Sequence, residues 1–413
     1  MSDRYDAIVI GGGPAGATAA YLLARAGRRV AVVEKAAFPR RKVCGEYISA
    51  TTWPLLDAMG VGAALSRLAG PAITRIGVFA GRSSQVTAAP APRERIERRG
   101  RALGREHLDT ALLRAAQDAG ADVFQPWGLD AYAENGDLAA CAIVQRPDGK
   151  RKTLEAPVVI AAHGAWEHGP LPTQVTHRAS RPDDLLGFKA HFVNARLPHD
   201  LMPLVAFPGG YGGLVTSDGG RTSLSCCVRR DALEAIRAAA PGSSAGAAVL
   251  AHIVRHCAGA ADALAPASLD GSWLGAGPLA TGIRSFGAGR IVAIGNAAAE
   301  AHPVVAEGIT MAIQSAHLAC AALLAAGPLH DAGVLDAARQ RYARAWRGNF
   351  ALRLHAAAFY AHLFMRPLPS KLAIAVLHAW PGLLAAGARW SGKDALFQPL
   401  PRHAMPAATS SRR

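Results

Sequence analysis

Three hydrophobic patterns alternate along the chain. Short, almost wholly apolar runs at Asp6 to Ile10, Val30 to Val33, Val158 to Ala162 and Arg290 to Gly295 read as strands buried on both faces, as in a parallel sheet. Between the first two, Pro14 to Ala26 has helical character and stops at Gly27, and Trp53 to Leu68 reads as a helix interrupted at Gly60-Val61-Gly62. Arg105 to Asp118 places Leu108, Leu112 and Ala115 or Ala116 on one face and ends at Gly120, the spacing of an amphipathic helix. Ile73 to Phe79, Val123 to Phe124 and Cys141 to Val144 read as strands, and Pro147 to Lys150 as a turn. Thr87 to Arg101, polar with Pro90 and Pro92, reads as an exposed loop or edge.

From about Asp184 to Leu274 the pattern changes. Phe188 to Phe192 alternates, and Leu204 to Phe207 is apolar. Leu214 to Thr216 and Thr222 to Val228 flank Ser217-Asp218-Gly219-Gly220, a hairpin signal whose glycines can take positive φ. Antiparallel strands set between the halves of a parallel domain suggest a second sheet that shapes a substrate site. A further helix starts near Glu307 or Gly308 and runs to about Ala325.

The first strand–helix–strand unit carries the most specific chemistry. Gly11, Gly13 and Gly16 have G-x-G-x-x-G spacing, and Glu34 ends the second strand. Gly11 permits the tight turn, Gly13 lets the backbone approach a pyrophosphate, and Gly16 lets helix and strand pack closely. The helix N-terminus offers free N–H groups and a positive dipole end to phosphates. Glu34 can accept hydrogen bonds from a ribose diol. Three glycines, each losing more backbone entropy on folding than alanine, argue against an ordinary tight turn.

Length and composition then exclude some classes. The 413 residues suit one large or two moderate domains, and 51% hydrophobic content permits a substantial core. The net charge of +15 comes mostly from scattered arginines, and no zinc-finger spacing or RNP-like strand accompanies it, so no nucleic-acid partner is expected. Six cysteines include no C-x-x-C pair, which disfavours a zinc or thioredoxin-type site. The glycine turn begins too early for a signal peptide, so a reducing, cytoplasmic location is expected. Leu372 to Ala388 is apolar but broken by His378, Pro381 and Gly382. Trp346, Phe350, Leu354, Ala357, Ala361 and Phe364 form a stripe with Arg341, Arg344, Arg347 and Arg353 interleaved. That stripe fits either core packing or peripheral membrane contact. Residues from about Arg402 read as a disordered tail.

Further motifs fall in a fixed order: Lys42-Val43-Cys44-Gly45, Arg105-Glu106-His107-Leu108-Asp109, a strand ending near Ala162 to Gly164, Gly209-Gly210-Tyr211-Gly212, Gly295-Asn296-Ala297-Ala298, Pro303 and Glu307-Gly308. With the glycine turn, this order resembles the FAD-dependent oxidoreductases of the p-hydroxybenzoate hydroxylase fold. It is most similar to the geranylgeranyl-reductase-like and FAD-binding monooxygenase members, over roughly residues 5 to 326. The resemblance implies an α/β fold: a Rossmann-like FAD-binding domain, an inserted antiparallel β-sheet substrate domain and a helical C-terminal region. FAD-binding segments are expected at 1–70, 101–180 and 276–330, substrate-domain segments at 71–100 and 181–275, and the helical region at 331–400, with the tail at 401–413.

The resemblance also implies site residues. Gly11, Gly13, Pro14, Ala15, Gly16, Glu34 and Lys35 would hold the ADP half of FAD. Arg41 or Lys42, with Arg105, would reach its phosphate and ribityl portions. Cys44, Gly164, Gly295, Asn296, Glu307, Gly308 and Ile309 would border the rest of the cofactor. This chain departs from the family at three points: Asn296 where Asp is usual, Ala306 where Gly is usual, and His163 where the family often has Asp. His163 is either structural or a proton carrier, and its presence puts the mode of NAD(P)H binding in question. His302, Cys44 and Tyr211 are the candidate catalytic residues; Tyr211 fits a pocket wall or core packing equally. Glu46 reads as a solvated or hydrogen-bonded loop residue.

Three functions follow from the resemblance. The expected one is NAD(P)H-dependent monooxygenation of a hydrophobic aromatic, polyketide or lipid-like substrate. The alternative is reduction of a C=C bond in a prenyl or lipid substrate, and the third is flavin binding without turnover. NAD(P)H would bind transiently, or an external flavin reductase would supply electrons. A halogenase is disfavoured because no W-x-W-x-I-P segment occurs.

Overall fold

The computed structural model describes residues 3–90, 98–174, 179–365, 376, 379–380 and 382–390. Five parallel strands form a central sheet in the order Ile291–Ala293, Val159–Ala161, Ala7–Ile10, Val30–Val33, Asp122–Phe124. The first four consist wholly of buried residues, which explains why they read as continuous apolar runs. The Pro14–Arg25 helix packs against both Arg105–Asp118 and Gly308–Leu324, and together they close one large core with the sheet.

A smaller sheet joins Asp3–Arg4, Arg151–Ala156, Leu138–Gln145 and Trp127–Asn135. Two of these strands, Trp127–Asn135 and Arg151–Ala156, are absent from the sequence reading. Their residues are mostly exposed or half-buried, so they carry little hydrophobic signal. They are held by pairing with the better-buried Leu138–Gln145 strand.

The second large sheet has seven strands in the order Ser268–Leu279, Leu185–Val193, Thr222–Arg229, Gly210–Thr216, Leu201–Phe207, Arg75–Ala80, Ser83–Ala88. It is antiparallel except where Leu201–Phe207 runs parallel to Arg75–Ala80. Ser83–Ala88 is an edge strand with alternating exposure, so the polar stretch assigned to a loop from Thr87 begins inside a strand. Gly219 and Gly220 take φ of 62° and 72° at the expected hairpin turn. Three helices, Arg230–Ala238, Ala245–His256 and Ala258–Leu264, interrupt the region expected to be sheet alone. They cover the face presented by Phe188, Ala190, Phe192, Val205 and Val228. The two-residue strand period turns Gly187, Lys189 and His191 to the other face.

The fold is therefore α/β, a Rossmann-like parallel sheet with an inserted antiparallel sheet and a helical C-terminal region. Ala332–Met365 is one long helix. Trp346, Phe350, Leu354, Ala357 and Ala361 are all buried, so of the two readings of that stripe core packing holds. No described helix is long and apolar enough to cross a membrane. Most of the apolar segment from Leu372, and all of the expected tail, lie outside the described residues.

Candidate active site

The glycine turn is shaped by its own backbone. At Gly11, with φ of 108°, a Cβ would sit 2.5 Å from the Ala162 carbonyl oxygen, and at Gly16 a Cβ would sit 1.8 Å from the Gly11 carbonyl oxygen. Gly13 differs. A Cβ there would meet only Arg105 Nη2, at 3.7 Å, so this position opens onto a cavity. Gly13 is the N-cap of the Pro14–Arg25 helix and no side chain caps it, leaving the first helical N–H groups for an anion. The buried Glu34 carboxylate accepts from the Gly12 N–H at 2.8 Å and the Ala36 N–H at 2.9 Å. It thus braces the turn, and its remaining lone pairs suit a diol. Lys35 stands at the rim, half exposed and paired with Glu167 at 2.7 Å.

Cations gather beside this cradle. Arg105 is buried and donates two hydrogen bonds to Asp109, at 2.6 and 2.7 Å, and Arg40 reaches the same carboxylate at 3.4 Å. Lys42 lies over the Trp166 ring, 5.7 Å from its centroid, and near Gly164, where a Cβ would meet its Nζ at 3.6 Å. Burial, then the neighbouring Arg105 and Arg40, lower the Lys42 ammonium to about 8. Arg40 and Arg105 converge on Asp109, and Lys42 adds a third cation against the two carboxylates Asp109 and Glu34, so the site carries an excess of positive charge that a pyrophosphate would offset. Arg41 takes another direction. Its guanidinium donates to His191 Nδ1 and lies against Gly271, so Lys42 occupies the place among these cations that was offered for Arg41 or Lys42.

The third segment is Gly295 to Ile309. Gly295, with φ of 56°, sits where a Cβ would come within 2.8 Å of Ala15, and it lies behind the cavity wall, as do Gly16 and Glu307. Asn296 Nδ2 donates to Glu300 Oε1 at 3.1 Å, which turns the amide so that Oδ1 remains an acceptor. Glu300 is buried, accepts from Arg284 at 3.1 Å, and is pushed upward in pKa by that burial. A carboxylate thus stands four positions after Asn296, on the short strand Ala299–Glu300. Pro303–Val305 forms a short turn that ends on Ala306 in the left-handed conformation, with φ of 54°. The helix beginning at Gly308 follows, capped by the backbone of the buried Glu307, and Gly308 and Ile309 line the cavity.

The cavity measures about 1770 Å³, more than the roughly 300–1,000 Å³ of a single small-molecule pocket. It has two zones. Gly11, Gly13, Glu34, Arg40, Lys42 and Arg105 line the first, and Ile76, Val78, Met202, Leu204, Val304 and Leu384 line the second. The open Gly13 cradle, the uncapped helix and the cation excess fit a dinucleotide diphosphate. The apolar zone leaves room for a second molecule.

Known proteins agree with this reading. Residues 4–202 match the family model described as an FAD binding domain. A menaquinone reductase of Mycolicibacterium smegmatis is 32% identical over 168 residues, which are 37% of this chain and 40% of that protein; the match thus spans about two fifths of the relative. The solved structure of a myxobacterial chondrochloren halogenase superposes with a TM-score of 0.72 at 22% identity, covering 98% of this chain and 95% of that one. A geranylgeranyl bacteriochlorophyll reductase-like protein from Thermoplasma acidophilum gives 0.65 at 18% identity, covering 86% of each chain. Over residues 4–202 the chain is similar to an FAD binding domain, and its overall fold is the one shared by these solved proteins.

Within this cavity, the catalytic candidates separate. Tyr211 and His302 line the cavity and are hydrogen-bonded through Tyr211 Oη and His302 Nδ1, both buried. Burial, with Cys227 alongside, holds the Tyr211 phenol well above its usual pKa. The phenol therefore stays protonated, and its hydroxyl can either donate to His302 Nδ1 or accept from an Nδ1–H. Cys44 also lines the cavity. Its Sγ accepts from the Glu46 N–H at 3.4 Å and lies beside Arg105. His163 lines the cavity too, but it bonds Thr173 Oγ1 at 3.0 Å and burial lowers it to about 4, so it is neutral at physiological pH.

Of the two readings offered for Glu46, the hydrogen-bonded one holds and the solvated one does not, because the residue is fully buried. Its φ is 61°, and its carboxylate accepts from Lys189 Nζ and, at 2.9 Å, from His191 Nε2. Arginine only donates, so Arg41 makes His191 Nδ1 an acceptor and fixes the Nε2–H tautomer. Burial pushes Glu46 up, but the His191 hydrogen bond and the Lys189 charge outweigh it and hold the carboxyl at about 2. This network joins the flavin-side loop to the substrate sheet, and sequence reading missed it. The available signal was polar Lys189 and His191 alternating with Phe188, Ala190 and Phe192.

Proposed function

We propose that this flavoenzyme reduces a carbon–carbon double bond in a prenyl or otherwise lipid-like substrate. The observation that carries the reading is the Tyr211–His302 pair set in the wall of an apolar zone large enough for a second molecule. Bound FAD supplies the electron pair, replenished by NAD(P)H or by an external flavin reductase. The substrate carbon chain packs against Val78, Met202, Leu204 and Leu384, and the excluded water favours orientation and protonation by the protein alone. One carbon accepts hydride; the other accepts a proton from Nε2 of the His302 imidazolium, which returns to neutral imidazole. Tyr211 acts as a positioning residue whose oxygen accepts from Nδ1–H and orients the ring. The likeness to menaquinone reductase over the FAD-side half supports reduction, and this reverses the order of preference drawn from the sequence alone.

Monooxygenation of an aromatic or polyketide substrate is the second reading, favoured by the same dry apolar wall. Mass spectrometry of organic extracts from cells with and without this chain separates the two. A product heavier by two hydrogens than the compound that accumulates without the chain supports reduction. A gain of one oxygen overturns it and selects the second reading.

A further inference from the structure

The Ala332–Met365 helix has a second face. Arg341, Arg344, Gly348, Leu352, His355 and Phe359 recur at three- and four-residue spacing and are all exposed, so they form one stripe opposite the buried Trp346–Ala361 face. Leu352 is 64% exposed and Phe359 65%. Nearby in the chain, Trp380 is 64% exposed and Leu383 48%, and Leu383 also lines the cavity. The same long helix lines the cavity through Arg353, Ala356 and Ala357. The cavity-lining helix thus also carries exposed large apolar side chains, and Leu383 is both exposed and part of the cavity wall. No Asp or Glu occurs between Asp336 and Asp394, while Arg and Lys recur throughout.

We propose that this stripe, with Trp380 and Leu383, docks on an anionic lipid bilayer and that the substrate enters the cavity from that bilayer. The proposal rests on the lipid-substrate reading above. The composition suits an interfacial helix: apolar residues seat at the acyl boundary, and arginines beside them meet anionic headgroups. A two-fold contact between copies of this chain fits less well, because the face would bring arginines toward arginines with no acid to pair them.

The test uses the full-length, FAD-loaded protein and sedimentation with vesicles of phosphatidylcholine, with or without phosphatidylglycerol. Sedimentation is expected with the anionic vesicles, weakening as salt is raised, and little with phosphatidylcholine alone. The double variant Leu352→Ser/Phe359→Ser and the charge reversal Arg341→Glu/Arg344→Glu should each lower the partition coefficient at least about tenfold. Both should keep the flavin absorbance and turn over detergent-dispersed substrate normally. No sedimentation with anionic vesicles at low salt, or equal sedimentation of wild type and both variants, overturns the proposal. So does a dimer in solution that Leu352→Ser/Phe359→Ser dissociates without any vesicle binding. If vesicle binding fails while the cell extracts still show the reduced product, the surface is wrong and the substrate reading stands; the converse result separates them the other way.

Discussion

The two ends of the cavity are built by different means. At the nucleotide end, Gly11, Gly16 and Glu34 act on their own turn: carbonyl oxygens exclude any Cβ, and one carboxylate braces two backbone N–H groups. At the flavin and substrate end the partners are remote. Tyr211 and His302 are 91 positions apart, and Glu46 and Lys189 are 143 apart. The first end tolerates little change in the main chain. The second depends on the substrate sheet docking in register.

The largest expected effect contrasts two glycines in the turn. Gly16→Val should prevent folding, since the new Cβ would overlap the Gly11 carbonyl. Gly13→Val should fold and express but emerge without bound flavin, because its side chain would enter the open cradle. Flavin absorbance and circular dichroism check the pair. A yellow Gly13→Val protein would remove the pyrophosphate from this turn.

The remote network should be nearly as sensitive. Lys189→Met leaves the Glu46 carboxylate buried without its ammonium, a change that typically costs about 3–5 kcal/mol. Denaturant melts measure it, and a loss below about 1 kcal/mol would mean that the pair is not buried as described. The wild-type carboxyl is held at about 2, below its unfolded value. Its contribution to stability is therefore present above the unfolded pKa and is lost as pH falls toward 2.

A smaller effect sharpens the assignment of Lys42. Its ammonium is lowered to about 8, below the unfolded value, so the cost of holding it charged in the empty site is present below pH 8 and relieved above it. A bound pyrophosphate favours the charged form. FAD affinity should thus be flat below pH 8 and weaken above it, approaching about tenfold per pH unit. Titrating apoprotein with FAD across that range checks this, and Lys42→Met should flatten the profile. An unchanged slope in the variant would move the anion away from Lys42.

The smallest effect concerns Ala306. A left-handed alanine costs roughly 1–2 kcal/mol, whereas glycine adds unfolded-state entropy of roughly 0.5–1 kcal/mol. Ala306→Gly should therefore raise stability by no more than about 1 kcal/mol, read as a small rise in Tm. A fall would show that the methyl group packs favourably beside Tyr47 and Ile76.

Legibility followed the same division. The parallel strands, the glycine turn, the Arg105–Asp118 helix and the hairpin at Gly219-Gly220 could be read locally, because each is encoded by neighbouring residues. The Trp127–Asn135 and Arg151–Ala156 strands could not, because exposed antiparallel pairs lack a strong apolar pattern. In the C-terminal helix the periodic stripe was visible but left core packing and a lipid surface both open, because periodicity identifies an apolar face, not what covers it.

By itself, then, the sequence determined the nucleotide cradle, since steric exclusion at Gly11 and Gly16 acts within a few residues, and it determined the alternation of buried runs that makes an α/β fold. Only the tertiary structure decided that the Arg41 guanidinium bonds His191, that Glu46 is a buried anion, and that Asn296 donates its Nδ2 to Glu300 and keeps Oδ1 as an acceptor. Those outcomes depend on which charges the docked sheet brings within hydrogen-bond reach, and burial makes each such pairing decisive because no water remains to replace a missing partner.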